Sequence, residues 1–191
     1  MMKGYPTREE AERLVQEAEQ CNPGPWGDHC RTAASCAQKI AEAAGMDGEK
    51  AYILGLLHDI GRKFGVKHLC HVYDGYHYML ELGYGAAART CLTHSFSRPT
   101  LDVYIGSRDI TEDQQRELQE LLDGLEYDDY DKLIQLCDCL AGAGTVMDME
   151  ARMEDVKRRY GRYPQEKWDA NMGLKHYFEE KCGKNIYEIV R

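Results

Sequence analysis

The residues with the clearest chemical potential are a histidine and an aspartate that are adjacent in the sequence, His58 and Asp59. They follow an apolar run at residues 52–57 and precede Gly61, so they stand where a buried helix is expected to end. An imidazole and a carboxylate at such an end can both reach one metal ion, because the chain leaves helical geometry there. Alone, the dipeptide is a weak signal, and its weight depends on ligands elsewhere in the chain.

Three further side chains of metal-binding type, His29, His94 and Asp138, lie on apolar stripes of predicted helices. Asp138 is the most informative, since it comes four residues after Ile134 and three before Ala141. A charged group on such a stripe is costly unless it is paired or coordinated. Each residue alone has an ordinary explanation, because an inward-facing histidine is commonly a hydrogen-bonded core residue and an aspartate can pair with arginine. Their joint occurrence favours a metal site.

The elements that would position these residues are predicted to be helices nearly everywhere. Residues 95–110 lack a helical period and contain turn formers, so we expect an irregular loop there, with at most one isolated extended piece at 101–105. No internal repeat or convincing series of strands occurs, which predicts an all-α fold. Nine helices are predicted, at residues 7–21, 28–45, 49–58, 66–82, 86–94, 111–123, 128–140, 146–160 and 165–182, the last interrupted at Gly173.

The ordered series His29, His58-Asp59 and Asp138, with a helical pattern between its members, resembles the HD-domain superfamily of metal-dependent phosphohydrolases. The resemblance covers about residues 26–145, which is most of the chain. Its motifs are specific for the superfamily and much less so for any one substrate.

The resemblance extends past these four residues. Residues 58–62, His-Asp-Ile-Gly-Arg, match the longer H-D-[I/L]-G-[K/R] form, and residues 71–75, His-Val-Tyr-Asp-Gly, match an H-x-x-x-G motif at the start of the next helix. His94 falls where members with a two-metal centre carry a further histidine. The G-Y-P motif of the cyclic-di-GMP phosphodiesterase branch is missing, and Ser95 stands where that branch often has a second histidine. That branch is therefore disfavoured.

The fold implied by the resemblance is an all-α HD-domain helical bundle with additional C-terminal helices. Residues 1–25 would form an N-terminal helix that packs on the core, residues 26–145 the HD domain, and residues 146–191 a C-terminal helical extension. The sequence assigns no chemistry to residues 161–191.

The resemblance also implies a centre of one or two divalent metal ions. A mixed shell of histidine and carboxylate suits Mn, Fe, Ni, Co or Zn better than an all-oxygen Mg site, and Mg stays among the candidates. Asp59 would bridge through its second oxygen to a second metal, which His71 and His94 would bind. The first metal would be held by His29, His58, Asp59 and Asp138.

The activity implied is hydrolysis of a phosphate ester or anhydride of a small metabolite, with a nucleotide preferred, by a metal-activated hydroxide. The catalytic residues would be Asp59, Arg62 and Lys63. Arg62 and Lys63 would also contact the substrate phosphate, since a guanidinium can bind two oxygens at once. Arg98 and Tyr104, in the irregular loop, are further candidates for substrate binding.

Two other functions remain open from the sequence. A non-enzymatic module that senses a nucleotide or a metal could keep the same pocket, because a fold alone does not determine function. Oxygen-dependent chemistry at a diiron centre, known for a few relatives, is the second. Metal content and oxygen consumption would separate it from hydrolysis.

Composition excludes several classes of partner and location. The chain has 24 Lys and Arg against 33 Asp and Glu, a formal charge of −9, so duplex nucleic acid is not an expected partner. No apolar stretch approaches the roughly 18–20 residues that cross a bilayer, and residues 1–6 lack signal-peptide character. We therefore expect a cytoplasmic protein without a membrane partner, whose eight cysteines are packed and reduced. The sequence makes no prediction of oligomeric state.

Overall fold

The computed structural model describes residues 4–191 as an all-α fold, as the sequence predicts. Within this range no β-strand occurs, and the one β-type pairing is an isolated bridge between Ala141 and Val146. Residues 1–3, which open the predicted N-terminal segment 1–25, lie outside the described residues. The α-helices of the described range are α1 (Arg8–Cys21), α2 (Trp26–Ala43), α3 (Gly48–Leu57), α4 (Cys70–Glu81), α5 (Gly85–Thr93), α6 (Glu112–Asp123), α7 (Asp129–Leu140), α8 (Met149–Tyr160), α9 (Gln165–Cys182) and α10 (Ile186–Val190).

Helix α6 begins at the capping residue that the sequence predicts, because a side chain bonds to the N–H groups of its first turn. The Thr111 hydroxyl accepts a hydrogen bond from the backbone N–H of Gln114 (3.2 Å), and the Gln114 side chain accepts one from the Thr111 N–H (2.9 Å). Helix α2 differs, since it begins at Trp26 and not after the predicted cap at Asp28. The reason is Pro25, whose ring holds φ at −74°, a value already suited to a helix.

Other boundaries differ from the prediction for local reasons. Helix α4 begins only at Cys70, because a 3₁₀ turn at Ile60–Phe64 ends in Gly65 with φ of +122°. Helix α9 runs through Gly173 without the predicted interruption, since one helical glycine costs only about 1 kcal/mol. The extended piece that the sequence allowed at 101–105 does not form as a strand, because Leu101–Val103 is a 3₁₀ turn in which the Asp102 N–H donates to the Thr100 hydroxyl.

Helices α2 and α3 cross at the centre of the core. Small residues permit the close approach: a Cβ atom on Gly55 would lie 2.9 Å from the Ala34 Cα. Ile40 of α2 and Leu57 of α3 are fully buried, and each such side chain contributes about 1.5–3 kcal/mol to folding. Because α3 ends beside the first turns of α2, this crossing brings His58 next to His29.

A second close approach positions the chain that follows α3. A Cβ atom on Gly61 would lie 2.0 Å from the His71 carbonyl oxygen and 2.6 Å from the Gly75 backbone nitrogen. Only glycine therefore lets the 3₁₀ turn lie against the first turns of α4. This contact sets His71 beside Asp59.

The remaining helices cover this centre. Helices α4, α5 and α6 enclose a smaller apolar cluster around Phe96 and Leu118, while α8, α9 and α10 pack near α2 and α7. One hydrophobic core includes residues from all three predicted segments, 1–25, 26–145 and 146–191, so the proposed boundaries stay predictions. No described helix is both long and apolar enough to cross a membrane.

Candidate metal centre

The six predicted metal ligands converge at the centre of the fold, where they form two triads. Within each triad the potential ligand atoms all lie within 4.8 Å of one another. The rings of His58 and His94 are 5.1 Å apart and join the triads. The first triad consists of His29, His58 and Asp138, and the second of Asp59, His71 and His94.

The first triad gathers side chains from three helices. His29 lies in the first turns of α2, His58 directly follows α3, and Asp138 lies in the last turn of α7. The His29 Nε2 atom is 3.0 Å from Asp138 Oδ1 and 3.2 Å from His58 Nε2, and His58 Nε2 is 3.9 Å from the same carboxylate oxygen. Two ring nitrogens and one carboxylate oxygen thus lie close enough together to coordinate one metal ion.

The second triad is more deeply buried. Asp59 Oδ1 lies 3.0 Å from His71 Nε2 and 3.3 Å from His94 Nε2, and these two nitrogens are 3.3 Å apart. The resemblance implied that Asp59 would also join the first metal's shell. The structure groups its carboxylate with His71 and His94, and Asp59 also forms a separate cluster with His58 and Cys30.

The orientation of all four imidazoles is determined by their outer nitrogens. Each Nδ1 atom lies within hydrogen-bond distance of a backbone carbonyl oxygen and must donate its proton there. In the neutral ring, Nε2 then presents a lone pair to the centre of the triad, where it faces other lone pairs and a carboxylate oxygen. A cation would be coordinated by all of these lone pairs at once. The side chains of each triad are therefore suited to bind a metal ion. The pairs are His29 with Ala141 (3.0 Å), His58 with Gly55 (2.6 Å), His71 with His68, and His94 with Cys91 (2.9 Å).

The ionisation of the site also suits metal binding. Burial lowers the pKa of His58 to about 4 and lowers the pKa of His71, so both rings are neutral near pH 7. Burial raises the pKa of Asp59, but the positive charge of Arg62 outweighs it and the net pKa lies well below the usual range. Burial opposes both ionisation of Asp138 and protonation of His29, but their hydrogen bond outweighs it, raising the pKa of His29 and lowering that of Asp138. Without a metal, a proton on His29 Nε2 can therefore lie between the two, where the metal would take its place. Both carboxylates are therefore charged.

Arg62 lies at the edge of the second triad and lines the cleft above it. Its Nε–H donates to Asp59 Oδ2 at 2.5 Å. Oδ2 of Asp59 is therefore bonded to Arg62, while Oδ1 faces the two histidines that were predicted to hold the second metal. Arg62 orients the carboxylate and neutralises part of its charge.

The structure does not bring Lys63 or Arg98 into the cleft. Consecutive residues of a 3₁₀ turn point about 120° apart, so the Lys63 side chain leaves the turn in a different direction from that of Arg62. Its ammonium donates to the Tyr78 hydroxyl (3.0 Å). Arg98 turns outward and pairs with Glu166 on the surface. Their predicted contacts with substrate therefore have no support in the geometry.

A cleft of about 700 Å³ opens over both triads. Tyr104, a predicted substrate-binding residue, is buried in its wall. Helices α8 and α9 supply another wall, to which Arg152 and Lys167 contribute their side chains. Arg152 Nη2 lies 3.8 Å from Asp138 Oδ1. No pattern along the chain singled out these two residues, because a cation in a charged helix is usually a solvated surface side chain.

Cys30 forms a further cluster with His58 and Asp59. Burial raises the pKa of its thiol well above the usual range, so the sulfur is protonated when no metal is bound. No disulfide joins the eight cysteines, as predicted, but they are not all packed: four are buried, three are half-buried and Cys21 is exposed.

A family model described as HD domain matches residues 26–143, more than half of the 191 residues. No curated protein and no solved structure matches the chain significantly.

Proposed function

The chain belongs to the HD-domain family, and we propose on that basis that it is a metal-dependent phosphohydrolase. Its substrate would be a phosphate ester or anhydride of a small metabolite, with a nucleotide as the preferred class. The catalytic groups are those of the two triads and the cations beside them.

One observation carries this proposal: four histidines, each held at Nδ1 by a backbone carbonyl, direct their Nε2 atoms at two ionised carboxylates. The first triad would hold one divalent ion and the second triad another. Such ions, when bound, acidify a water molecule and neutralise the charge of a phosphate group. A purely structural polar cluster would instead pair donors with acceptors.

The protein's own cations would position the substrate. Arg62 lies beside the second triad and Arg152 beside the first, and both line the cleft. Each guanidinium has N–H groups beyond those used for Asp59 or for the Ala141 carbonyl, and these can donate to phosphate oxygens. A phosphate held between them would lie next to both triads.

The size and lining of the cleft support a nucleotide. About 700 Å³ is within the range of cavities that enclose small-molecule ligands. Trp26, Tyr104 and Tyr163 contribute aromatic surface to its walls, which a nucleobase could contact.

A phosphate-release assay tests the proposal directly. The purified protein is loaded in parallel with Mn, Fe, Ni, Co, Zn or Mg and offered simple phosphate esters and a panel of nucleotides. We expect phosphate release with at least one metal, and loss of both activity and bound metal in His58→Ala and Asp59→Ala. His176→Ala, which changes an exposed histidine of α9, is the matched control and should retain both.

Three results would contradict the proposal. The first is hydrolysis of no ester or nucleotide under any metal, and the second is full activity in either ligand variant. The third is thermal stabilisation by nucleotides without phosphate release, which would favour a sensing module. Oxygen consumption by an iron-loaded sample without hydrolysis would favour the diiron alternative.

A further inference from the structure

Three polar side chains outside the ligand set line the cleft close to His94. Gln135 comes from α7, Ser97 from the loop after α5, and Lys167 from α9. None belongs to either triad, and Lys167 lies beyond the residues that match the family model. All three are located around the same short stretch of chain, residues 93–97.

Gln135 has a fixed orientation that leaves one atom unused. Its Nε2 donates to the Thr93 carbonyl (3.1 Å) and to the Phe96 carbonyl (3.0 Å), which identifies the other amide atom as the oxygen. The residue is only 2% exposed, yet Oε1 has no hydrogen-bond partner among residues 4–191. A buried acceptor without a donor is costly, so a donor from outside the chain is expected there.

Ser97 shows the same pattern nearby. Its Oγ is buried and finds no partner in the described part of the chain. A hydroxyl both donates and accepts, so Ser97 can bond to an alcohol group of a ligand that also donates to Gln135.

Lys167 adds a positive charge to the same wall. Its ammonium donates to the Ser95 carbonyl (2.8 Å), and no carboxylate of residues 4–191 lies within salt-bridge distance of it. Other cations around the cleft are paired, as Lys67 is with Asp74 and Arg159 with Asp155. Burial lowers the pKa of Lys167, although the residue is only half-buried and lines the cleft. An anion would compensate its charge.

Resting on the proposed function, we propose that Gln135, Ser97 and Lys167 form a substrate-recognition subsite for a phosphate ester that carries hydroxyl groups. Gln135 Oε1 accepts a hydrogen bond from a substrate hydroxyl, Ser97 Oγ bonds to the same or a neighbouring hydroxyl, and the Lys167 ammonium binds an anionic oxygen. The substrate class is a sugar or polyol phosphate, which includes the sugar phosphate of a nucleotide. The three residues determine specificity, whereas the triads and their cations act on the phosphate.

Two probes separate hydroxyl recognition from phosphate binding: ribose 5-phosphate and phenyl phosphate. Their dissociation constants are measured by calorimetry on the metal-loaded full chain, together with KM and kcat where an ester is hydrolysed. We expect the wild type to prefer ribose 5-phosphate, and Ser97→Ala and Gln135→Leu to remove about ten-fold of that preference. Lys167→Met should weaken both probes about ten-fold, and Lys167→Arg should restore binding.

Matched controls exclude an indirect effect. Lys175→Met changes a lysine of the same helix that pairs with Glu179, and Ser35→Ala changes a serine of α2 outside the cleft. Both should leave the dissociation constants unchanged. Gln135 also donates hydrogen bonds to two backbone carbonyls, so Tm and metal content are measured for its variant as well. Ser97→Ala removes no hydrogen bond of the structure and is therefore the cleaner test.

The outcomes distinguish this subsite from the hydrolase proposal. Equal affinity of the wild type for both probes, or an undiminished preference in Ser97→Ala and Gln135→Leu, overturns the subsite and shows that ordered water satisfies these atoms. Unchanged binding in Lys167→Met overturns the role of the lysine. A preference that the variants remove, without any phosphate release, supports the subsite and contradicts the hydrolase.

Discussion

Two of the aspartates of helix α7, which lie two turns apart, have surroundings that are opposite in kind. Asp131, at its start, receives hydrogen bonds from the Arg89 guanidinium (2.6 and 2.9 Å), from the Thr93 hydroxyl (2.9 Å) and from the Asp128 N–H (2.9 Å). Asp138, at its end, faces the Nε2 atoms of two histidines. The first carboxylate is satisfied by fixed donors of the protein, and the second faces ring nitrogens that can hold either a proton or a metal ion.

This difference separates a structural charge from a binding site. Asp131 is almost fully buried, and its partners leave no place for a ligand. Asp138 is one quarter exposed and opens to the cleft. Asp59 combines both situations in one residue, since Oδ2 is bonded to Arg62 and Oδ1 faces two histidines. Burial of a carboxylate therefore says little about its role until its partners are known.

The largest effect should come from the ligand side of this comparison. In Asp138→Asn we expect activity to fall by more than about 100-fold, because even residues that only support a metal ligand cost 10–100-fold when they are changed. The new amide can donate to a histidine lone pair, so the metal-free protein should keep its Tm. Phosphate release, metal content and Tm of the same preparation check this, and unchanged metal content would contradict it.

On the structural side, Arg89→Met should cost about 3 kcal/mol in free energy of unfolding, because it leaves Asp131 charged, buried and without its main partner. Metal content of the folded protein should be unchanged. Chemical denaturation measures the loss, with Arg13→Met as the control, since the exposed pair of Arg13 with Glu17 contributes under about 1 kcal/mol. A loss of metal in Arg89→Met without a loss of stability would contradict the structural role of Asp131 and indicate that it supports the metal centre.

A glycine contact tests how firmly packing positions the second triad. Gly61→Ala requires the 3₁₀ turn and α4 to separate, which should cost about 2 kcal/mol and reduce metal binding at Asp59 and His71. Gly173→Ala is the control, because its added methyl group meets no other residue and helix propensity favours it by up to about 1 kcal/mol. Equal stability of the two variants would show that the close approach does not position the triad.

The smallest effect is expected at the edge of the first triad. Arg152→Met removes a cation 3.8 Å from Asp138, and we expect KM to rise about ten-fold while kcat changes less. Metal content should stay constant, because Asp138 keeps both histidines. If kcat falls and KM stays constant, Arg152 acts in the chemical step and not in binding.

The sequence predicted much of this site because its signal lies in local patterns. Asp138 was recognised from its place on an apolar stripe, and the start of α6 from the pair Thr111 and Gln114. The all-α class followed from the period of the apolar residues. Such features depend only on neighbours along the chain.

What the sequence missed depends on tertiary contacts. Lys63 was assigned to the substrate because it follows Arg62, but the 3₁₀ turn sends it to Tyr78. Lys167 was overlooked because nothing in the pattern of α9 shows that it faces a cleft. The unsatisfied oxygen of Gln135 becomes visible only when the carbonyls of Thr93 and Phe96 are in place. Partners far apart in sequence decide these roles.

Anomalous diffraction from crystals of the metal-loaded protein tests the central claim most directly. We expect a peak at the triad of His29, His58 and Asp138, bound through both Nε2 atoms, with a second peak at the triad of Asp59, His71 and His94 when both sites fill. Under the same conditions, no metal should appear beside Asp131. Metal-loaded crystals without a peak at either triad, or with the ion bound elsewhere in the chain, would contradict the account.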